Sequence, residues 1–158
     1  MLCLRRTGAD HDAVVAMGKE FMAILHRHDL PRLEGTAGAA FLIYHGEVSA
    51  DSDGPVGWCI RVPAEQAAGL AARVPELTLR TEAGHEEAYV PLGTAPVSPA
   101  QWQLASDALH TWAGTRHRRP AALGARVTFL AAPPITPASR PDYDFAVPLG
   151  VLETAAAS

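Results

Sequence analysis

The stretch GAAFLIYHGEVSADSDGPVGWCIRV, residues 38–62, decides the fold. Gly38–His45 is apolar at almost every position, the pattern of a strand buried on both faces. Residues 46–55, Gly-Glu-Val-Ser-Ala-Asp-Ser-Asp-Gly-Pro, are nearly all turn formers. Val56–Val62 is apolar again. Strand, turn and returning strand together predict an antiparallel hairpin with a long loop.

Upstream, Asp10–Asp29 reads as a helix. Val14, Val15, Gly18, Phe21, Met22 and Leu25 recur at helical spacing, with Met17 beside them. Asp10 or Asp12 can cap its start, and Pro31 forbids continuation. Met1–Arg6 reads as an edge strand. Downstream, Pro63–Leu70 reads as an alanine-rich connection. Leu77–Arg80 opens a strand that Glu86–Val90 continues after a turn at Gly84.

A second helix is expected from Ser98 or Pro99 to about Ala113, with Trp102, Ala105, Leu109 and Trp112 on one face. Gly114 and the arginines of Arg116–Arg119 follow it, suited to a helix end and to solvent. Ala125–Ala131 reads as a strand. Pro133, Pro134, Pro137 and Pro141 stiffen a loop, and Tyr143–Leu149 is the closing strand.

The order strand–helix–strand–strand occurs twice. The predicted class is therefore α+β: two pseudo-twofold-related β-α-β-β repeats, about residues 1–75 and 76–150, within one domain spanning 1–158. They are expected to form a joined antiparallel sheet with helices on one side and a central ligand cleft.

At 158 residues, with 48% hydrophobic and 19% charged residues, the chain reads as one globular domain. A net charge of −4 argues against a general nucleic-acid surface. No stretch approaches the roughly 20 apolar residues of a membrane span, and Met1–Arg6 lacks the apolar region of a signal peptide, so a cytoplasmic protein is expected. Cys3 and Cys59 fit no metal or redox spacing and read as reduced thiols. His26 and His28 lie on different faces of a helix, and His110 and His117 lack a third ligand, so no metal and no cofactor are expected.

The hairpin resembles the first hairpin of GyrI-like domains, the effector-binding modules of BmrR-type regulators. Those often carry an apolar strand ending Tyr-His-Gly, an acidic turn, Gly-Pro-Val-Glu and a Cys-containing strand. Tyr44-His45-Gly46 and Gly54-Pro55-Val56 match at that spacing, and Tyr143-Asp-Phe-Ala-Val-Pro-Leu149 resembles the closing strand. The resemblance implies a receptor for drug-like, often cationic and aromatic molecules, held by a buried carboxylate and a ring of aromatics. In some stand-alone members a Tyr–Glu pair hydrolyses cyclopropane-bearing genotoxins, and a further relative inhibits DNA gyrase. Two departures stand out. The usual Glu of the return strand is Gly57, and a turn that often holds tyrosine reads Gly93-Thr94-Ala95.

Asp144 is the leading candidate, because an acid in an apolar strand costs several kcal/mol if buried unpaired, and a ligand cation would offset that cost. Its bland alternative is a solvent-facing residue of an alternating strand, and Asp142 is the fallback acid. Trp58, beside the space left by Gly57, and Trp102 are candidates for a pocket wall, with Tyr44, Tyr89, Phe21 and Phe145. Trp112 and Phe129 read as core. Tyr44 and Tyr89 carry hydroxyls that could orient a ligand or act as an acid. Glu86 and Glu87 beside His85 read as a solvated strand start.

The expected function is stand-alone binding of a hydrophobic molecule, cationic or neutral. The alternatives are a hydrolase using Asp144 with Tyr44 or Tyr89, and a gyrase-inhibitor-like protein-binding domain. Ligand identity and oligomeric state are left open.

Overall fold

In the computed structural model, which describes residues 1–9, 11–46, 54–92, 99–116, 118–121, 123–130 and 143–150, the apolar segments become strands and helices of an α+β protein. Outside the described residues lie Asp10, the hairpin loop from 47 to 53, Gly93–Ala95, Ser98, His117, the proline loop and Asp142. The chain divides into two compact units, Met1–Glu82 and Ala83–Ser158.

The first unit runs β1 (Leu2–Ala9), α1 (His11–Arg27), a 3₁₀ turn (Gly35–Gly38), β2 (Phe41–Tyr44), β3 (Gly54–Ile60), α2 (Ala67–Arg73) and β4 (Thr78–Leu79). The predicted hairpin is present: β2 and β3 are antiparallel, with Phe41 opposite Cys59 and Tyr44 opposite Val56. The strand order is β4-β1-β3-β2. Two expectations change here. The first strand is interior, because β3 takes one side of it and β4 the other. The strand at Thr78–Leu79 pairs with β1 and closes this unit instead of opening the next. The segment read as a connection contains the helix α2, whose AAGLAAR sequence has strong helix formers and is anchored by buried Leu70.

Helix α1 covers one face of this sheet. Its buried stripe is Val14, Met17, Phe21, Ile24 and Leu25. The helix ends in a Schellman arrangement. Leu30 N–H donates to Leu25 O (3.2 Å), Asp29 N–H donates to His26 O (3.3 Å), and Asp29 has φ +44°. Thus the chain leaves the helix at Asp29, two residues before Pro31 could forbid it.

Cys3 and Cys59 correct the expectation of reduced thiols. They are directly opposite on β1 and β3, with Cα atoms 4.2 Å apart, and form a disulfide. Fifty-six residues separate them in sequence, but antiparallel pairing makes them nearest neighbours.

The second unit runs β5 (Glu86–Pro91), α3 (Pro99–Thr115), β6 (Ala125–Phe129) and β7 (Tyr143–Leu149), with strand order β6-β7-β5 and both pairs antiparallel. Each unit therefore contains the order strand–helix–strand–strand, and in each the last strand of that series pairs with both others. Helix α3 packs Ala105, Leu109 and Ala113 inward, whereas Trp112 is 45% exposed. This corrects the reading of Trp112 as core. Three turns of a 3.6-residue helix begun at Trp102 bring position 113, not 112, back to the sheet. Phe129 is half-buried and meets Tyr143 edge-on at 5.2 Å.

Candidate functional site

Strand alternation sorts the candidates by face. In the second unit, Phe145 points toward α3, where it meets Trp102 edge-on with ring centroids 5.7 Å apart. Phe145 is buried, and Trp102 is half-buried. Asp144 is on the opposite face of β7, half-buried, between Thr128 of β6 and Pro91 of β5. Tyr89 is opposite Ala146, so it shares that face and is the diagonal neighbour of Asp144, within reach of a long side chain. Tyr89 is 64% exposed. Two of the expected residues thus come together on one sheet face, and two others come together on its reverse.

The same face holds a group that sequence reasoning missed. Arg126 is 1% exposed, and its Nη1 is 3.1 Å from Glu87 Oε1. The small side chain of Ala146 stands between these two strands on β7 and lets them meet. His85 Nε2 is 2.9 Å from the same oxygen, and its Nδ1 is 3.0 Å from the Ala83 carbonyl. Glu87 is therefore the anchor of a polar cluster, not part of a solvated strand start. The signal was the alternation Arg126-Val127-Thr128-Phe129, which puts an arginine on the face of Asp144. Glu86 remains largely exposed, yet it accepts from Arg118 at 2.6 Å. Arg118 also donates to Gly150 O at 3.0 Å, and its side chain is only 13% exposed, so it is not a solvated helix end.

In the first unit the expected aromatics stand on the α1 side. Phe21 is fully buried and lies 6.3 Å from Trp58 by ring centroids. Trp58 is half-buried, and its Nε1–H donates to the Val14 carbonyl at 3.0 Å. The glycine that makes room for it is Gly18, where an added Cβ would lie 2.7 Å from the indole. Gly57 instead faces the reverse side, next to Arg5, Cys59 and His45. Tyr44 pairs with Val56 on the same side as Trp58, and burial pushes its phenol up to about 12. It is a neutral hydroxyl at ordinary pH. Tyr143 is shifted upward for the same reason.

Among the described residues no three His, Cys, Asp or Glu side chains converge as a metal site would require, and no helix is long and apolar enough to cross a membrane.

No family model and no curated protein matches this sequence. Solved structures do resemble it. A hydrolase from Listeria innocua shares 16% identity at a TM-score of 0.51, with 94% of this chain and 86% of that one covered. An uncharacterised conserved protein from the same organism shares 14% identity at a TM-score of 0.53 over the same proportions. Likeness at this identity is a likeness of fold.

Proposed function

We propose that this chain is a stand-alone small-molecule-binding domain of GyrI-like type, built as a pseudo-twofold pair of β-α-β-β units, and that it takes a hydrophobic ligand carrying a positive charge. The observation that carries the reading is the exposed ring of Tyr89 diagonally beside the half-buried carboxylate of Asp144. An aromatic face and a carboxylate together suit a lipophilic cation, the first through its π-electrons and the second through its charge. The hairpin resemblance and the matching element order of the two units support the same reading.

Calorimetric titration with tetraphenylphosphonium and with a neutral aromatic of similar size tests it. Binding of the cation at tens of micromolar or better is expected. Asp144→Asn should weaken the cation by about tenfold and leave the neutral compound nearly unchanged. Equal losses for both would remove the carboxylate from the site, and absence of binding by either would overturn the reading.

A hydrolase is the second reading. It is favoured by the same proximity of a hydroxyl and an acid. It predicts more than stoichiometric turnover of a cyclopropane-bearing alkylator, lost in Tyr89→Phe.

A further inference from the structure

His85 stands two residues before Glu87, at the entry to β5 and near the start of the second unit. Its side chain is only 16% exposed, and both ring nitrogens are engaged. Nδ1 is 3.0 Å from the Ala83 carbonyl oxygen, and Nε2 is 2.9 Å from Glu87 Oε1.

A carbonyl oxygen and a carboxylate oxygen only accept. A neutral imidazole has one N–H, so it satisfies one of these contacts and sets a lone pair against an oxygen in the other. The imidazolium donates from both nitrogens and satisfies both. The proton between ring and carboxylate does not belong on Glu87 instead. The same Oε1 lies 3.1 Å from Arg126 Nη1, and a proton placed on that oxygen would face the N–H hydrogens of the guanidinium. Bonding at both ring nitrogens therefore requires a doubly protonated His85.

The charged groups around the ring are few. Glu87 is opposite Pro148, so β7 brings no charge to that row, and Asp144 is farther along the same face between Thr128 and Pro91. Strand β6 brings Arg126, whose like charge opposes the imidazolium. Glu86 alternates to the reverse face, where it accepts from Arg118 beyond the end of α3. Glu82, three residues earlier, ends the first unit, where it acts on the Met1 ammonium. Among the described residues the ring thus has one anion in direct contact, Glu87, and one competing cation.

Strand β5 ends the strand order and pairs with β7 alone, so its entry has a backbone ladder on one side only. Side chains supply the other hold. Arg126 fixes Glu87 to β6, Glu87 accepts from His85, and His85 donates back to Ala83. Loss of one proton cuts this series at one link.

We propose that His85 is a proton-operated latch. As the imidazolium it ties the chain entering β5 to the Glu87–Arg126 pair, and on losing a proton it lets that entry loosen. The protonated ring makes two bonds and the neutral ring one, so the hold is present in acid and is lost as pH rises. Histidine is the side chain that ordinarily changes charge between about pH 5 and 8. The latch concerns a proton and not a ligand, so it stands or falls separately from the reading of Tyr89 and Asp144.

The test is NMR of the whole chain titrated from about pH 5 to about pH 8, following ring nitrogens and backbone amides together. Both His85 nitrogens should carry protons at the acid end. The amides of residues 83–87 should shift, and exchange faster with solvent, in the same transition that removes one of those protons. The exposed His26 should titrate without moving them. Urea unfolding adds a second readout. His85→Gln should lower the folding equilibrium constant by a factor about tenfold larger at the acid end than at the alkaline end. Glu86→Gln, on the reverse face, should keep the parent's pattern. Amides that ignore the His85 transition would overturn the proposal, and so would a deficit of His85→Gln that is the same at both ends. The titration of the parent requires no substitution, so it decides the matter even if His85→Gln fails to fold.

Discussion

Gly18 and Gly57 are both buried glycines, yet the molecule needs only the first. At Gly18 a methyl group would press on the Trp58 indole, which is held by its bond to Val14 and cannot swing aside cheaply. At Gly57 the same methyl meets ordinary van der Waals neighbours. Gly18→Ala should therefore destabilise by roughly 1–3 kcal/mol despite the better helix propensity of alanine, whereas Gly57→Ala should be neutral or slightly stabilising. Urea unfolding of the two variants side by side checks the contrast, and equal midpoints would refute it. The sequence draws the eye to Gly57 because it is adjacent to Trp58. Adjacent residues in a strand point to opposite faces, so the space beside an indole must come from elsewhere, here a helix forty residues earlier.

At the scale of elements, α1 illustrates how a helix stops. Its apolar spacing made the helix legible, and its last turn is closed by backbone bonds around Asp29 in the left-handed region. Only glycine adopts that conformation without steric cost. Asp29→Gly should therefore raise stability by about 0.5–1 kcal/mol, read as a higher urea midpoint with an unchanged slope. A fall in midpoint would show that the aspartate side chain contributes more than its backbone strain costs. The other elements divide in the same way. Tyr143–Leu149 was readable to its ends because the apolar run itself has sharp limits. Helix α2 was not, because a seven-residue helix with alanine or glycine at five positions carries little periodicity and takes its helical state partly from the burial of Leu70.

For the molecule as a whole, the Cys3–Cys59 link carries a large thermodynamic consequence. It closes a long stretch of the first unit and so restricts the unfolded chain. Chain-entropy reasoning gives about 4 kcal/mol for a loop of this length, which corresponds to a melting-temperature difference of roughly 10 °C. Reductant should lower the melting temperature of the parent protein by an amount of that order and leave a Cys3→Ala/Cys59→Ala variant unmoved. Free-thiol titration of the unreduced, denatured protein should find none, and two titratable thiols would contradict the link.

The sequence by itself determined the α+β class, the hairpin around residues 46–55, both long helices and the closing strand, because local periodicity and turn chemistry act over neighbouring residues. It also brought forward Asp144 and Tyr89, an acid and a hydroxyl in otherwise apolar strands. Only the tertiary structure decided that those two share a face, that Trp102 and Phe145 share the reverse, and that Arg126 meets Glu87. It alone set Cys3 opposite Cys59 and brought Arg5 and His45 beside Gly57. Each of these depends on which strands are neighbours and in what register, and a shift of one residue would send every side chain to the other face. That information belongs to pairings between segments tens of residues apart, which no local window of the chain contains.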